Sequence, residues 1–147
     1  IPLINKLDHK NINLNIGDKV LSNGFSLNVG NPHIIFFVKD CFEYDLKILG
    51  PKIENHKLFP EKINVTFAQI IDKNNIIVNV WERGAGLTKA CGTAACATAV
   101  AASAKKLTEN NINIKFKEGT LNIKIDENFN IFMTGQVSGI KNIKIEI

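Results

Sequence analysis

The sequence has 147 residues, 45% of them hydrophobic, and its 18 basic and 14 acidic residues give a formal net charge of +4. This length suits one domain with a sizeable core, and the absence of any apolar run of about 18 residues argues against a transmembrane helix. The lysines are scattered singly, without a basic cluster or an RNA-binding motif, which argues against nucleic acid as a partner.

Strand-like patterns occur along most of the chain. Alternation of apolar and polar residues is the period of a half-buried strand, and the continuous apolar run at 34–38 predicts a buried one. Residues 63–71 and 76–81 predict a hairpin around 72–75. The remaining predicted strands are 25–29, 112–116, 121–125, 128–133 and 140–147.

Two helical segments interrupt these strands. The first is short, at about 50–56, where Pro51 suits a first helical position. The second runs from about 92 to 107 and is rich in alanine, the best helix former. Because its side chains are small on most faces, we expect it at an enclosed central position. The pattern predicts an α+β fold, a curved and mostly antiparallel β-sheet roll wrapped around a central Ala-rich helix.

The three cysteines, Cys41, Cys91 and Cys96, form neither a disulfide framework nor a metal-binding spacing. An odd number of unpatterned cysteines fits a reducing compartment, so we expect a cytoplasmic protein. Cys96 follows Cys91 by about 140° around the predicted helix. We therefore expect Cys96 and Cys41 to be structural.

Cys91 lies where a glycine-containing loop meets the predicted Ala-rich helix. The first backbone N–H groups of a helix have no partner within it, and with the helix dipole they favour negative charge. A thiol at this position is expected to be more acidic than a free thiol. The N–H groups of Gly92 and Thr93 could also hold a carboxylate. Together these groups suit removal of a proton alpha to that carboxylate.

Arg83 is the only arginine among the 18 basic residues. A sequence that uses lysine for generic positive charge is expected to keep an arginine where a planar, bidentate donor is needed. Carboxylates are recognised in this way.

Residues 82–86, Glu-Arg-Gly-Ala-Gly, and 90–93, Ala-Cys-Gly-Thr, resemble the signature around the second catalytic cysteine of diaminopimelate epimerases. Gly-Asn-Pro-His at 30–33, the segment 49–60 and Asn64 are similar to other motifs of that family, in the same order. The resemblance covers about 30–102. One departure is Ala94, where the family commonly has glycine, and we expect little effect from the added methyl group.

The resemblance implies a two-domain enzyme in which each domain supplies one thiol to a site between them. Residues 1–147 would be the C-terminal domain, and the N-terminal domain, with the other thiol, would be absent from this chain. The start at Ile1, which has neither Met nor a signal-peptide pattern, fits a processed or truncated chain. By this resemblance the chain alone is expected to be inactive, and a homodimer of the complete protein stays open.

The resemblance also implies the reaction, the epimerisation of LL-2,6-diaminopimelate to the meso form in lysine and peptidoglycan-precursor biosynthesis. It needs no pyridoxal phosphate and no metal. Cys91 would be the acid/base of one face, with the backbone at Gly92 and Thr93 on the reacting carboxylate. His33 and Glu82 match polar residues beside the two thiols.

Asn31, Asn64 and Arg83 match the family residues that recognise the distal amino-acid end of the substrate.

Two other functions stay open. A related proline or hydroxyproline racemase would use the same two-thiol chemistry, although its substrates lack a distal polar end. A non-catalytic, anion-binding domain is the other, with Cys91 as a buried small hydrophobe and the two asparagines as turn residues.

Overall fold

A computed structural model describes residues 11–88, 91–135 and 142–146, and within them it contains ten strands and two helices. The strands are β1 (Ile12–Ile16), β2 (Lys19–Asn28), β3 (Pro32–Phe37), β4 (Asn64–Asp72), β5 (Asn75–Glu82), β6 (Gly86–Thr88), β7 (Asn111–Phe116), β8 (Gly119–Ile125), β9 (Asn130–Gly135) and β10 (Asn142–Glu146). The helices are α1 (Leu46–Glu54) and α2 (Gly92–Ala104).

The strands form one sheet in the order β1-β2-β3-β4-β5-β7-β8-β9-β10, and β6 pairs with β5 beside this path. Among the described pairings, β3 with β4 and β5 with β7 are parallel, and the others are antiparallel. A parallel pair needs a long crossover connection. Helix α1 lies in the crossover from β3 to β4, and α2 lies in the one from β5 to β7.

Helix α2 is enclosed by the sheet. Every residue from Ala94 to Ala102 is buried, and the helix contacts β2, β3, β4, β7, β8 and β9. Contact with strands so far apart in the sheet order requires the sheet to curl around the helix. A helix that is apolar on all faces is stable only when it is surrounded, so the predicted central helix and the α+β fold are confirmed.

The sheet separates two apolar clusters. Alternate residues of a strand point to opposite faces; Ile35 of β3 packs in the cluster around α2, whereas Ile34 and Phe36 pack in a second cluster with α1. Leu46, Leu49 and Ile53 are the α1 residues in this second cluster. One helix is therefore inside the roll and the other covers its outer face.

The prediction for α1 was wrong at its start. Asp45 caps the helix by accepting a 3.0 Å hydrogen bond from the Lys47 N–H, and the helix begins at Leu46. Pro51 therefore lies inside the helix, where it leaves the Lys47 carbonyl without its usual donor. Lys47 is exposed, so water can satisfy that carbonyl, and burial of Leu46 and Leu49 outweighs the loss.

The predicted strands and the hairpin are present, with β2 starting earlier than expected. Sequence reasoning missed β1, and it assigned β6 to a loop. The prediction at 140–147 is confirmed over Asn142–Glu146, and its other residues lie outside those described. Within the described part of the chain, neither helix has the length and apolar character to cross a membrane.

Candidate active site

Four strand ends meet at one edge of the sheet. The parallel strands β3 and β4 both begin there, at Pro32 and Asn64, since His33 pairs with Asn64. Their antiparallel neighbours β2 and β5 end there, at Asn28 and Glu82. We call this row of strand ends the site edge.

The N-terminus of α2 lies at the same edge. Thr88 of β6 pairs with Val80, close to the end of β5, and Cys91 follows Thr88 by three residues. At the other end of the helix, Ala104 and Phe37, the last residue of β3, line one cleft. The other end of α2 lies far from this edge, where Lys105 Nζ donates to the Asn23 carbonyl of β2 at 3.3 Å.

Cys91 is the N-cap residue of α2, as predicted. Its backbone is extended (φ −147°, ψ 112°), and its carbonyl accepts the first helical hydrogen bond, from the Ala95 N–H at 3.0 Å. The side chain is partly exposed and makes no capping bond, and Sγ lies 3.5 Å from the Thr93 hydroxyl. The thiol is therefore partly open to solvent and lies beside the first turn of α2.

The other two cysteines, Cys41 and Cys96, are buried, whereas Cys91 is partly exposed. Burial, together with the charge of nearby Cys91, raises the pKa of the Cys96 thiol to about 12. Burial and the Asp40 carboxylate raise the pKa of Cys41 to about 11. All three thiols are unbonded to one another. The structural roles expected for Cys41 and Cys96 agree with their burial.

His33 is fully buried at the start of β3. Burial and, secondarily, the Arg83 charge lower the pKa of His33 to about 4, so the ring is neutral at pH 7. Nε2 lies 2.9 Å from Oδ1 of Asn31, and because that oxygen can only accept, Nε2 carries the proton. Nδ1 then presents a lone pair, which is buried and has no hydrogen-bond partner within the described residues.

Asn64 is also buried, and its amide joins two backbone segments. Nδ2 donates to the Pro32 carbonyl at 2.8 Å, and Oδ1 accepts from the Arg83 N–H at 2.7 Å. The side chain therefore ties the start of β3 to the turn after β5.

Arg83 is exposed and borders a cleft at the site edge. One guanidinium nitrogen, Nη1, donates to the Glu61 carbonyl at 3.2 Å. The cleft has a volume of about 360 Å³, with Asn31 on one wall and the segment 58–63 on another. The rest of the guanidinium remains available to a carboxylate.

Glu82 ends β5, opposite Gly86 of β6, and is half-buried.

The site residues fall into two groups. Asn31, His33, Asn64, Glu82 and Arg83 are linked by hydrogen bonds or strand register, and Cys91, Gly92 and Thr93 form the helix terminus. Within the described residues, no hydrogen bond joins Cys91 to either His33 or Glu82.

Sequence reasoning assigned no role to Glu54. Its carboxylate accepts from the Trp81 indole N–H at 2.9 Å and from the Gly84 N–H at 3.1 Å. One signal was available, because Glu54 lies one turn after Gly50 on the buried side of α1, where a charged residue is unusual.

The fold is similar to that of a solved structure. A solved structure of a phenazine biosynthesis protein from Bacillus anthracis, of the PhzF family, superposes with a TM-score of 0.51 over 74% of this chain and 35% of that chain. At 22% sequence identity this likeness establishes the fold, a sheet rolled around a central helix.

The family follows from sequence. The family model for diaminopimelate epimerase matches residues 25–140, and the chain belongs to the diaminopimelate epimerase family. It is 57% identical, over all of its length, to a diaminopimelate epimerase of Pelagibacter ubique, and 47% identical over 92% of its length to one of Rhodopseudomonas palustris. It covers 55% and 48% of these two relatives, so it spans about half the length of the curated relatives it matches.

Proposed function

We propose that this chain supplies one thiol and the distal recognition site of an enzyme that epimerises LL-2,6-diaminopimelate to the meso form, in lysine and peptidoglycan-precursor biosynthesis. The observation that carries the proposal is the position of Cys91, a partly exposed thiol at a helix N-cap on the sheet edge that also holds Asn31 and Arg83. Membership of the family supports the same reaction.

Cys91 acts on one face of the reacting carbon. When the substrate has the appropriate configuration, the thiolate removes the α-proton, and the electron pair of the C–H bond spreads into the adjacent carboxylate. The N–H groups of Gly92 and Thr93, at the positive end of the helix dipole, hold that carboxylate and stabilise the added charge. The Thr93 hydroxyl, 3.5 Å from Sγ, can donate to the sulfur while it is negative.

A thiol on the opposite face returns a proton and so inverts the centre. We propose that this second thiol comes from outside the chain, in agreement with the relatives being about twice as long. After one turnover Cys91 holds the proton and the opposite thiol is the base, so the reverse direction follows by the same steps. Closure of the two parts over the substrate would exclude water.

Arg83 and Asn31 recognise the distal amino-acid end of the substrate in the cleft that they border. The guanidinium binds the distal carboxylate, and the amide of Asn31 offers a second polar contact. Asn64 supports this recognition by holding the backbone of Pro32 and Arg83 in place through its two hydrogen bonds. A substrate without a distal polar end would leave these groups unpaired, which disfavours proline-type substrates.

His33 and Glu82 serve as polar neighbours of the two thiols. The buried lone pair of neutral His33 suits it to accept a hydrogen bond from a group brought in on binding. Glu82, adjacent to Arg83, can accept from a thiol or from the substrate amino group.

The test follows hydrogen exchange during turnover. The full-length gene product is incubated with LL-diaminopimelate in D2O, and loss of the Cα–H signal is followed by proton NMR. We expect exchange with appearance of the meso isomer, loss of both in Cys91→Ala, and retention of both in Cys96→Ala, the matched variant at a buried thiol. No exchange by the folded wild-type protein would refute the assignment, and screening of proline-type substrates would come next.

A further inference from the structure

The turn that carries Arg83 is a tight one. The Ala85 N–H donates to the Glu82 carbonyl at 3.0 Å, and Gly84 has φ +79°, which is the left-handed position of a type II turn. In such a turn the two central N–H groups, here those of Arg83 and Gly84, take no part in the turn's own hydrogen bond. They are left to bond either to water or to acceptors from elsewhere in the molecule.

Two side chains from separate elements supply these acceptors. Oδ1 of Asn64, on β4, accepts from the Arg83 N–H at 2.7 Å, and Oε2 of Glu54, on α1, accepts from the Gly84 N–H at 3.1 Å. Both donors of the turn are therefore bonded to buried side chains. Glu54 is only 7% exposed and Asn64 only 1%.

The second oxygen of Glu54 is also occupied. Oε1 accepts from the Trp81 indole N–H at 2.9 Å, and Trp81 precedes the turn on β5. An ionised carboxylate has only acceptors, so it can serve two N–H donors at once. Glutamine cannot do so, because its amide nitrogen would face one of those donors. Alanine would offer no acceptor to either donor.

We propose that Glu54 is a positioning residue for Arg83. By holding the Gly84 N–H and the Trp81 ring, it fixes the orientation of the Glu82–Ala85 turn and hence the direction in which the guanidinium enters the cleft. Its role in recognising the distal carboxylate rests on the proposed function. Loss of Glu54 should therefore weaken substrate binding more than it slows the chemical step, since Cys91 lies on a different element and Glu82 is held by the pairing of β5 with β6.

The test compares Glu54→Ala with Asp45→Ala in the full-length gene product. Asp45 caps the same helix through Lys47 but does not touch the turn, so its loss destabilises α1 without releasing Arg83. We expect Glu54→Ala to raise KM for diaminopimelate about tenfold and to lower kcat less than about threefold. Asp45→Ala should leave KM within about twofold of wild type. Equal KM values for Glu54→Ala and wild type, or equal rises in both variants, would overturn the inference.

Two further measurements keep the test decisive. If Glu54→Ala does not fold, Glu54→Gln keeps the shape of the side chain, and its KM should rise at least threefold, an estimate on the order of one lost hydrogen bond. Amide hydrogen exchange at Gly84 reports the turn directly and should be faster in the Glu54 variant than in Asp45→Ala. If wild type has no epimerase activity, the proposed function is refuted. Separately, an amide exchange rate at Gly84 that is the same in the Glu54 variant as in wild type would refute the role of Glu54 in holding the turn.

Discussion

Replacing Gly50 by alanine should destabilise the protein, although alanine favours helices. A Cβ atom built on Gly50 would lie 2.3 Å from Cδ2 and 2.4 Å from Cγ of Trp81. Carbon atoms in contact are normally about 3.5–4.0 Å apart, so the ring or the helix must move by about 1.2 Å or more. Trp81 cannot move freely, because its indole N–H is bonded to Glu54.

The magnitude follows from two opposing effects. Overpacking of a core costs about 1–3 kcal/mol, and a displacement above 1 Å against a rigid ring places this site near the upper limit. Alanine regains about 1 kcal/mol over glycine inside a helix. We expect a net loss of roughly 2 kcal/mol in the free energy of unfolding, or about 4–8 °C in Tm for a domain of this size.

Urea unfolding of Gly50→Ala against wild type measures this loss, and Gly92→Ala is the matched comparison. At Gly92 the added Cβ would meet only the Cε and Sδ atoms of Met133, at 3.0 and 3.2 Å. A flexible thioether can move aside, so Gly92→Ala should cost less than about 1 kcal/mol. A Gly50→Ala protein as stable as wild type would refute the reasoning.

Two other predictions concern α2 and the buried histidine. Lys106 has φ +59° just after the C-cap of α2, so Lys106→Gly should raise the free energy of unfolding by about 0.5–1 kcal/mol; Lys105→Gly, at a position with φ −82°, should give no gain. The pKa of His33 falls from 6.5 unfolded to about 4 folded, so the unfolded state binds more protons between these values. The contribution of neutral His33 to the free energy of unfolding should be present above pH 6.5. It should decline as the pH falls, by about 2 kcal/mol between pH 7 and 5. His33→Gln should flatten that decline in denaturant titrations at each pH, and an unchanged slope would contradict the assignment.

Local patterns predicted the strongest elements of the fold. The alanine content of α2 and the alternating strands are signals that short segments carry by themselves. β6 was missed because three residues after a glycine turn are too few to show a period. Pro51 misled the prediction of α1, because the rule that places proline in the first turn cannot weigh the burial of Leu46 and Leu49 against one lost hydrogen bond.

The candidate site was predictable only in part. Cys91 could be placed at a helix N-cap from sequence, because the loop and the alanine run meet at that residue. The acceptors of the Arg83 turn could not be found in this way, since Glu54 and Asn64 lie 30 and 19 residues from the N–H groups they bind. Nor does a sequence show that His33 is buried, which is what makes its ring neutral.

By itself the sequence determined the central helix, the strand-rich α+β class, the N-cap thiol and the family resemblance, because each is encoded in residues that are close together in the chain. Tertiary structure alone decided that the ends of β2, β3, β4 and β5 meet the start of α2 at one edge. Tertiary structure also decided which polar groups are buried away from solvent. Both depend on the packing of segments distant in sequence, and that packing sets the burial, hydrogen-bond partners and charge of the site.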